Sequence, residues 1–394
     1  MTQPIDVGDA IEVVAEDRYD RQSRMSWWDQ TLLSEARVLV AGAGALGNEV
    51  VKNLALLGVG SIIVIDMDVI EVTNLSRCVF FLPEDSGSFK ATVLAERAAA
   101  VNPDVEITGI VGMVQELGAG VANRSTVMVG ALDNREARRH LNRLSWWSGT
   151  PWIDGAIGEL DGVVRAYRPP LTCYECTLDE VDFAALARRR SCRLLGTDAP
   201  ETGVVPTSIT TASIVAGIQS QEAVKMIHAV AGAIPFPDDE SPNGFRFNGM
   251  DNDAYTEFTP NNSDCAAHEA HEPLLEVVQP LGSLAEVATK CGLSEAVVEL
   301  GDDHVLRWEC GECGTVADDG RQVWRLGPTD AMCPTCHKAR RPDTRTSIEV
   351  PSLEADWPLS QWNLRKDDHL AVRAGFDYQY VWLREDDMVP EGWR

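Results

Sequence analysis

The run VLVAGAGALGNEVV, residues 38 to 51, ends an apolar β-forming stretch at Gly42-Ala43-Gly44 and sets Gly47 at the head of an apolar-periodic helix. Glycines at such a strand-to-helix turn let the backbone approach a phosphate, which then meets the N–H groups and positive dipole end of the helix. The glycines alone do not choose between a nicotinamide dinucleotide and another nucleotide. Asp66 closes the next strand, 24 residues after Gly42, where a carboxylate can accept hydrogen bonds from the ribose hydroxyls of either. The neighbouring residues separate the two. NLSR puts Asn74 and Arg77 on the same rim, Lys90 opens the next helix, and Asp133 ends VMVGALD with Asn134 behind it. Two cations and a carboxylate around one nucleotide suit a triphosphate with its magnesium ion, and a dehydrogenase has no use for them. Taken singly, Lys90 reads as a solvated lysine, Asp133 as a helix N-cap and Arg77 as a surface arginine.

Ten cysteines form the second chemical set, and six of them sit in C-x-x-C pairs. A chain long enough to bury its own core needs no disulfide framework, so metal is the better reading. CGEC (Cys310, Cys313) and CPTC (Cys333, Cys336), with 19 residues between them, have the spacing of a zinc ribbon. Such a ribbon can staple a small domain that lacks core or hold a partner surface, and either way serine at Cys310 is expected to release its metal without touching nucleotide binding. CYEC (Cys173, Cys176) finds its complement far along the chain in DCAAH (Cys265, His268), a C-x-x-H pair whose sulfur and imidazole both suit a closed tetrahedral zinc. The competing reading of that pair is a buried thiol and a surface histidine.

These residues need elements to position them. RVLVAGAG, SIIVID, VEITGIV and TVMVGALD read as strands, with helices over 46 to 57, FKATVLAERAAAVN and REARRHLNRLSWW between and after them. That series predicts a doubly wound, mainly parallel, Rossmann-like sheet with ligands at the carboxyl ends of its strands. PWIDGAIGELDGVVRAYRP alternates like an antiparallel extension, 208 to 230 like a long apolar helix, and GAIPFPDDESPNG is a loop. From about 275 the texture shifts to short mixed segments with clustered cysteines and five tryptophans from 324 onward. The expected organisation is an N-terminal tail (1–14), an α/β domain (15–272) and a small C-terminal domain with the zinc ribbon (273–394).

RYDRQ (18 to 22), GAGALG, DMD (66 to 68), NLSR, Lys90, LDN (132 to 134), CYEC and IQSQEAVK (218 to 225) stand in the order and spacing of one superfamily. Over residues 15 to 270 the chain resembles the ubiquitin-activating enzymes and the MoeB/ThiF-type adenylyltransferases. The resemblance implies adenylation by ATP of the C-terminal carboxylate of a ubiquitin-like or sulfur-carrier protein, with Gly42, Gly44, Gly47, Asp66 and Asn74 around the nucleotide. It further implies Arg77 and Lys90 on phosphates, Asp133 on Mg2+, and Arg21 inserted into the neighbouring subunit of a homodimer. Cys192, in RRRSCRLLGTDAPETG, falls in the crossover region where relatives carry an acyl-accepting cysteine. Arg188, Arg189, Arg190 and Arg193 beside it would favour its thiolate, and the alternative is a mobile basic loop with an incidental thiol. Cys78 follows Arg77 and reads as a packing residue.

Composition narrows the partners. With 34 basic and 61 acidic side chains, the net charge of −27 opposes nucleic acid and anionic lipid and favours a basic or neutral partner. No stretch of 18 apolar residues occurs and the N-terminus shows no targeting pattern, so a cytoplasmic protein is expected, with ATP, Mg2+ and two zinc ions as cofactors. A conjugating enzyme or a sulfur donor would receive the activated product. The alternatives are adenylation of a small molecule or of a tRNA-linked carboxylate, as in the threonylcarbamoyladenosine dehydratases, a non-catalytic partner-binding homologue, and a nicotinamide oxidoreductase.

Overall fold

The computed structural model describes residues 18–195, 206–238, 240–278, 281–327, 329–385 and 389–393, apart from the side chains of 191–193, 195 and 278. The N-terminal tail 1–14 expected from the sequence lies outside the described residues. Helices α1 (Asp20–Ser23) and α2 (Gln30–Glu35) lead into β1 (Arg37–Ala41), α3 (Ala45–Leu57), β2 (Ser61–Asp66), α4 (Lys90–Val101), β3 (Glu106–Val111), α5 (Ala119–Arg124), β4 (Val127–Gly130), α6 (Arg135–Ser148) and β5 (Trp152–Ile157). The strand order is β3-β2-β1-β4-β5, all parallel, and it reverses direction between β1 and β4. A doubly wound sheet opens its ligand crevice at that reversal.

Strands buried on both faces must be apolar through their middle, and VLVA, IIVI and VMV are. Helix ends are set by local chemistry. Gly58 terminates α3 at φ +79°, in the left-handed region, and Asn134 caps α6 by accepting from the Ala137 N–H at 2.8 Å.

β6 (Asp161–Tyr167) turns back antiparallel on β5, then α7 (Glu180–Leu195) and α8 (Ile209–Val230) follow, and β7 (Gly244–Asn248) and β8 (Asp253–Glu257) complete an eight-stranded sheet. The predicted antiparallel extension therefore begins only at β6, because β5 still pairs parallel with β4. The mobile basic loop given as the alternative reading around Cys192 is corrected up to residue 195. That stretch is the end of α7, since EVDFAALARRRSCRLL consists largely of strong helix formers and Asp179 accepts from the N–H groups of Val181 and Asp182 at 2.9 Å. The Cys192 side chain and residues 196–205 lie outside the described residues.

The rest of the chain builds a second sheet from β9 (Leu274–Val278), α9 (Leu284–Lys290), β10 (Ala296–Glu309), β11 (Val316–Asp318), β12 (Arg341–Val350), β13 (Asp368–Ala374) and β14 (Asp377–Arg384). Its order is β11-β10-β13-β14-β9 with β12 also on β10, around a core of its own that includes Val298, Ile348, Trp362, Val372 and Val381. The short mixed segments read from the sequence hide a 14-residue strand, β10, whose pairing shifts between Glu299 and His304, beside Gly301 at φ +71°.

The two sheets are joined by buried charge. Asp302 receives Arg143 at 2.7 Å and also pairs with Arg365, while Asp367, fully buried, pairs with Arg124. Trp393 enters the core beneath β1 and β2, where its indole N–H donates to Ser61 Oγ at 2.5 Å.

Candidate active site and metal centres

The glycine turn lies at the reversal point, between the ends of β1 and β4. Gly42 has φ +102°, and a Cβ there would stand 2.3 Å from the carbonyl oxygen of Ala131, so only glycine fits. Gly47 is equally constrained, with Gly42 O at 2.0 Å from a built Cβ. Gly44 differs. A Cβ on it meets nothing within 4 Å, so its bare backbone borders open space at the N-terminus of α3, where the first-turn N–H groups have no intrahelical partner. This is the cradle a phosphate needs, and it fits the nucleotide expected from the sequence.

Asp66 sits at the adjacent strand end. One carboxylate oxygen accepts from Ala43 N–H and the other from Asp68 N–H, both at 2.7 Å, so this side chain shapes the turn before any ligand arrives. Burial nonetheless raises its pKa above the ordinary carboxylate value, against the lowering effect of those bonds and of Lys90. Each oxygen keeps a lone pair for a hydroxyl donor. Lys90, at the start of α4, pairs with Asp68 at 2.8 Å and is mostly covered. Arg77 donates to the Thr73 carbonyl at 2.6 Å, and Asp133 is exposed at the end of the β4 loop. Asn74 is buried and accepts from Glu71 N–H at 2.9 Å, closing a turn over Val72–Asn74. Its visible work is to shape the loop that presents Arg77. Arg21 is exposed on α1.

Two buried side chains, Asn48 and Gln219, and the partly covered Arg138, all missing from the sequence reading, hold this rim. Asn48 Nδ2 donates to the carbonyls of Ala43 and Gly44 at 2.8 and 3.1 Å, and its oxygen accepts from Phe80 N–H, tying the glycine turn to the Arg77 loop. Arg138 grips Asp154 at 2.9 Å and the carbonyl of Leu132, and so fixes the loop carrying Asp133. Gln219, inside the quoted IQSQEAVK, donates to the Gly130 carbonyl at 2.9 Å. A polar residue on an apolar helix face, as Asn48 and Gln219 are, is the signal that could have found them.

From Asp133 a cleft of about 470 Å³ runs beneath α7, with Arg135, Arg138, Arg165, Arg188 and Arg189 among its lining. Asp133, Asp154 and Asp182 line it too, and Arg135, Arg138 and Arg165 pair with Asp182, Asp154 and Glu257, so the positive excess of the lining comes from Arg188 and Arg189 of α7.

Both cysteine sets converge. Sγ of Cys173 lies 3.7 Å from Sγ of both Cys176 and Cys265, and Cys176 Sγ lies 3.3 Å from His268 Nε2. A tetrahedron of about 2.3 Å zinc–sulfur bonds has edges of roughly 3.8 Å, so the four donors fit such an ion. The hydrogen bond between Cys173 and Cys176 lowers the Cys176 thiol and raises that of Cys173, so the pair shares a proton that a metal would displace. His268 is set by stacking on Trp146 at 3.9 Å. In the second set Cys310 lies 3.4 Å from Cys336 and Cys313 3.6 Å from Cys333, and each pair is closed by an N–H four residues on, Gly314 to Cys310 O and His337 to Cys333 O. The donor atoms of each set lie within 4.8 Å of one another. Cys78 is buried, and burial pushes its thiol up to about 11, as expected of a packing residue.

Among the described residues no helix is long and apolar enough to cross a membrane. The profile of the ThiF family matches residues 19–267. A SAMP-activating enzyme E1 of Haloferax volcanii is 32% identical over 228 residues, 55% of this chain and 78% of that one. A sulfur carrier protein adenylyltransferase of Thermus thermophilus is 35% identical over 170 residues, 41% of this chain and 63% of that one. Escherichia coli MccB solved with ATP shares the fold at a TM-score of 0.53 and 20% identity, over 66% of this chain and 75% of that one. Because the family match spans well over half its residues, including the elements that carry the candidate nucleotide rim, the chain belongs to the ThiF family.

Proposed function

We propose that this protein uses ATP to adenylate the C-terminal carboxylate of a small ubiquitin-like or sulfur-carrier protein. The observation that carries the reading is the open Gly44 cradle flanked by Asp66, Lys90, Arg77 and Asp133 at the sheet's reversal point. The names of the relatives, activating enzymes and a carrier-protein adenylyltransferase, support the same chemistry. A carboxylate oxygen attacks the α-phosphorus, the bond to the bridging oxygen breaks, and pyrophosphate leaves with the electron pair. Arg77 and Lys90 offset the repulsion between the two anions, Lys90 by exchanging Asp68 for phosphate, and Asp66 holds the ribose. Asp133 would hold Mg2+, which neutralises phosphate charge when bound. The carboxylate tail enters through the cleft under α7, past Arg188 and Arg189.

In this reading the chain comprises an adenylation unit over 15–272 and a C-terminal unit over 273–394, both cysteine sets hold zinc, and the protein works in the cytoplasm as a homodimer. Exposed Arg21 and the exposed apolar Met67, Val69, Val72, Val79, Leu82 and Phe89 around the rim supply what a second copy would cover. Cys192 then accepts the acyl group as a thioester, or a conjugating enzyme or sulfur donor takes it directly from the adenylate. The experiment is partner-dependent ATP–pyrophosphate exchange. Asp133→Ala should lose it with the fold intact, and near wild-type exchange in that variant would remove the assignment.

A further inference from the structure

The segment between the two pairs of the second cysteine set reaches the nucleotide rim. Its turn Val323–Arg325 sends Arg325 across to the first sheet, where the guanidinium meets Glu116 Oε1 at 3.1 Å. Glu116 belongs to the loop 112–117 that leaves β3, and its other oxygen accepts from Met113 N–H at 3.0 Å, so the ion pair closes the loop on itself. At its start Gly112 N–H donates to the Asp66 carbonyl at 3.3 Å. Arg365 adds a hydrogen bond to the carbonyl of Gln115, and Trp324 lies under both guanidinia, at 4.4 Å from Arg325 and 5.6 Å from Arg365.

The strand order gives this loop a place in the site. Phosphates belong at the β1 turn and the ribose at Asp66 on β2, so the base, on the far side of the sugar, extends toward β3 and the loop that follows it. We propose that Arg325 is a positioning residue for nucleotide binding. Through Glu116 it fixes the loop on the base side of Asp66, and the second cysteine set is the scaffold that holds Arg325 there.

The scaffold is continuous. Val323 and Leu326, on either side of the turn, pack in one small core with Val305, Trp308 and Ala331. Trp308 stands two residues before Cys310 and Ala331 two before Cys333, so the ends of this core are the ends tied by the four sulfurs. Leu194 of α7 packs on the same core and Arg190 pairs with Asp303 at 2.5 Å, which fixes the helix bearing Cys192 to the same support. The expectation that loss of this metal leaves nucleotide binding untouched is thereby replaced by its opposite.

The inference rests on the nucleotide-binding half of the adenylation reading, and its test separates the two. Binding of Mg-ATP to the full chain is measured by calorimetry for wild type, Arg325→Ala, Arg325→Lys, Glu116→Gln and Cys310→Ser, with hydrogen–deuterium exchange over 112–117. Arg325→Ala and Glu116→Gln should weaken ATP on the order of tenfold, a usual size for such coupling. Arg325→Lys should recover part of that loss, and Cys310→Ser should shift binding in the same direction as Arg325→Ala with faster exchange in the loop. In pyrophosphate exchange the change should fall on KM for ATP, with kcat held within about twofold. ATP affinity in both Arg325→Ala and Glu116→Gln within about twofold of wild type, with unchanged circular dichroism, overturns the inference whatever the exchange assay shows. Weakened binding in those variants beside a wild type that never exchanges pyrophosphate upholds it while removing the adenylation step.

Discussion

Asp302 offers the sharpest stability test, because one carboxylate at the junction of the two sheets serves three donors. Its side chain is 13% exposed and receives Arg143 at 2.7 Å, Trp324 Nε1 at 3.0 Å and Arg365, whose side chain is only 2% exposed. Asp302→Asn keeps the shape and one acceptor oxygen but removes the charge, leaving two guanidinia poorly compensated at a covered interface. Breaking a buried pair in this way costs about 3–5 kcal/mol, and because Arg365 retains Asp368 at 3.3 Å we expect the lower end, about 3 kcal/mol. For a chain of this length that corresponds to a drop in Tm of roughly 4 °C.

Urea unfolding followed by tryptophan fluorescence, which Trp147 and Trp324 at the junction should report, measures the loss. The acid limb checks its electrostatic origin. Burial would raise the Asp302 pKa, but the guanidinia of Arg143 and Arg365 outweigh it and hold the carboxyl well below the usual range. A depressed folded-state pKa gives stability that is full above the unfolded value, about 3.9, and is lost as pH falls through the folded one. The gap between wild type and Asp302→Asn should therefore be constant from neutral pH down to about 5 and close only in stronger acid. A loss under about 1 kcal/mol, the worth of a surface pair, would refute the claim that the junction depends on this charge.

Three further outcomes are expected. Trp393→Ala, which empties a fully buried indole site and leaves the Ser61 hydroxyl with Glu106 alone, should cost about 3–5 kcal/mol and raise amide exchange in β2, whereas Trp393→Phe should cost about 1 kcal/mol by comparison. Metal analysis of carefully prepared protein should find one zinc for each of the two sets, with His268→Ala and Cys310→Ser each removing one, and a count of one or none in wild type would contradict the pairing. Cys192→Ala should retain pyrophosphate exchange and lose a thiol-reducible partner adduct that Cys78→Ala and Cys291→Ala, the latter at the C-terminal cap of α9, keep, and an adduct surviving in all three would place the acceptor elsewhere.

The nucleotide half of the site was legible because its signals are local. A glycine that must take φ +102°, a strand ending in Asp66 and a helix opening at Lys90 each follow from a few neighbouring residues. Both cysteine sets were legible for a related reason: thiols three apart announce a knuckle, and the remaining partners can be matched by chemistry across the chain. The reading of Cys192 as loop was avoidable up to residue 195, since Ala, Leu and Arg dominate FAALARRRSCRLL and Leu186 is buried at helical spacing from Leu194. What sequence could not show is the junction. Arg365 meets Gln115, Asp367 meets Arg124 and Trp393 meets Ser61 across hundreds of residues, and no periodicity encodes such a distant partner. Asp367 in particular sits at φ +56° with its carboxylate against Gly120, a strained position fixed only by the interface around it.

The most direct measurement of the central claim follows the carboxylate oxygen. A small partner ending in Gly-Gly, labelled with oxygen-18 at its C-terminal carboxylate, is incubated with the protein, Mg-ATP and hydroxylamine as acyl acceptor, and the AMP is examined by mass spectrometry. If that carboxylate attacks the α-phosphorus, its C–O bond breaks when the acceptor takes the acyl group, and AMP carries one oxygen-18. AMP formed at the same rate without the label would mean that another nucleophile reaches the phosphorus, and would contradict adenylation of a carboxylate.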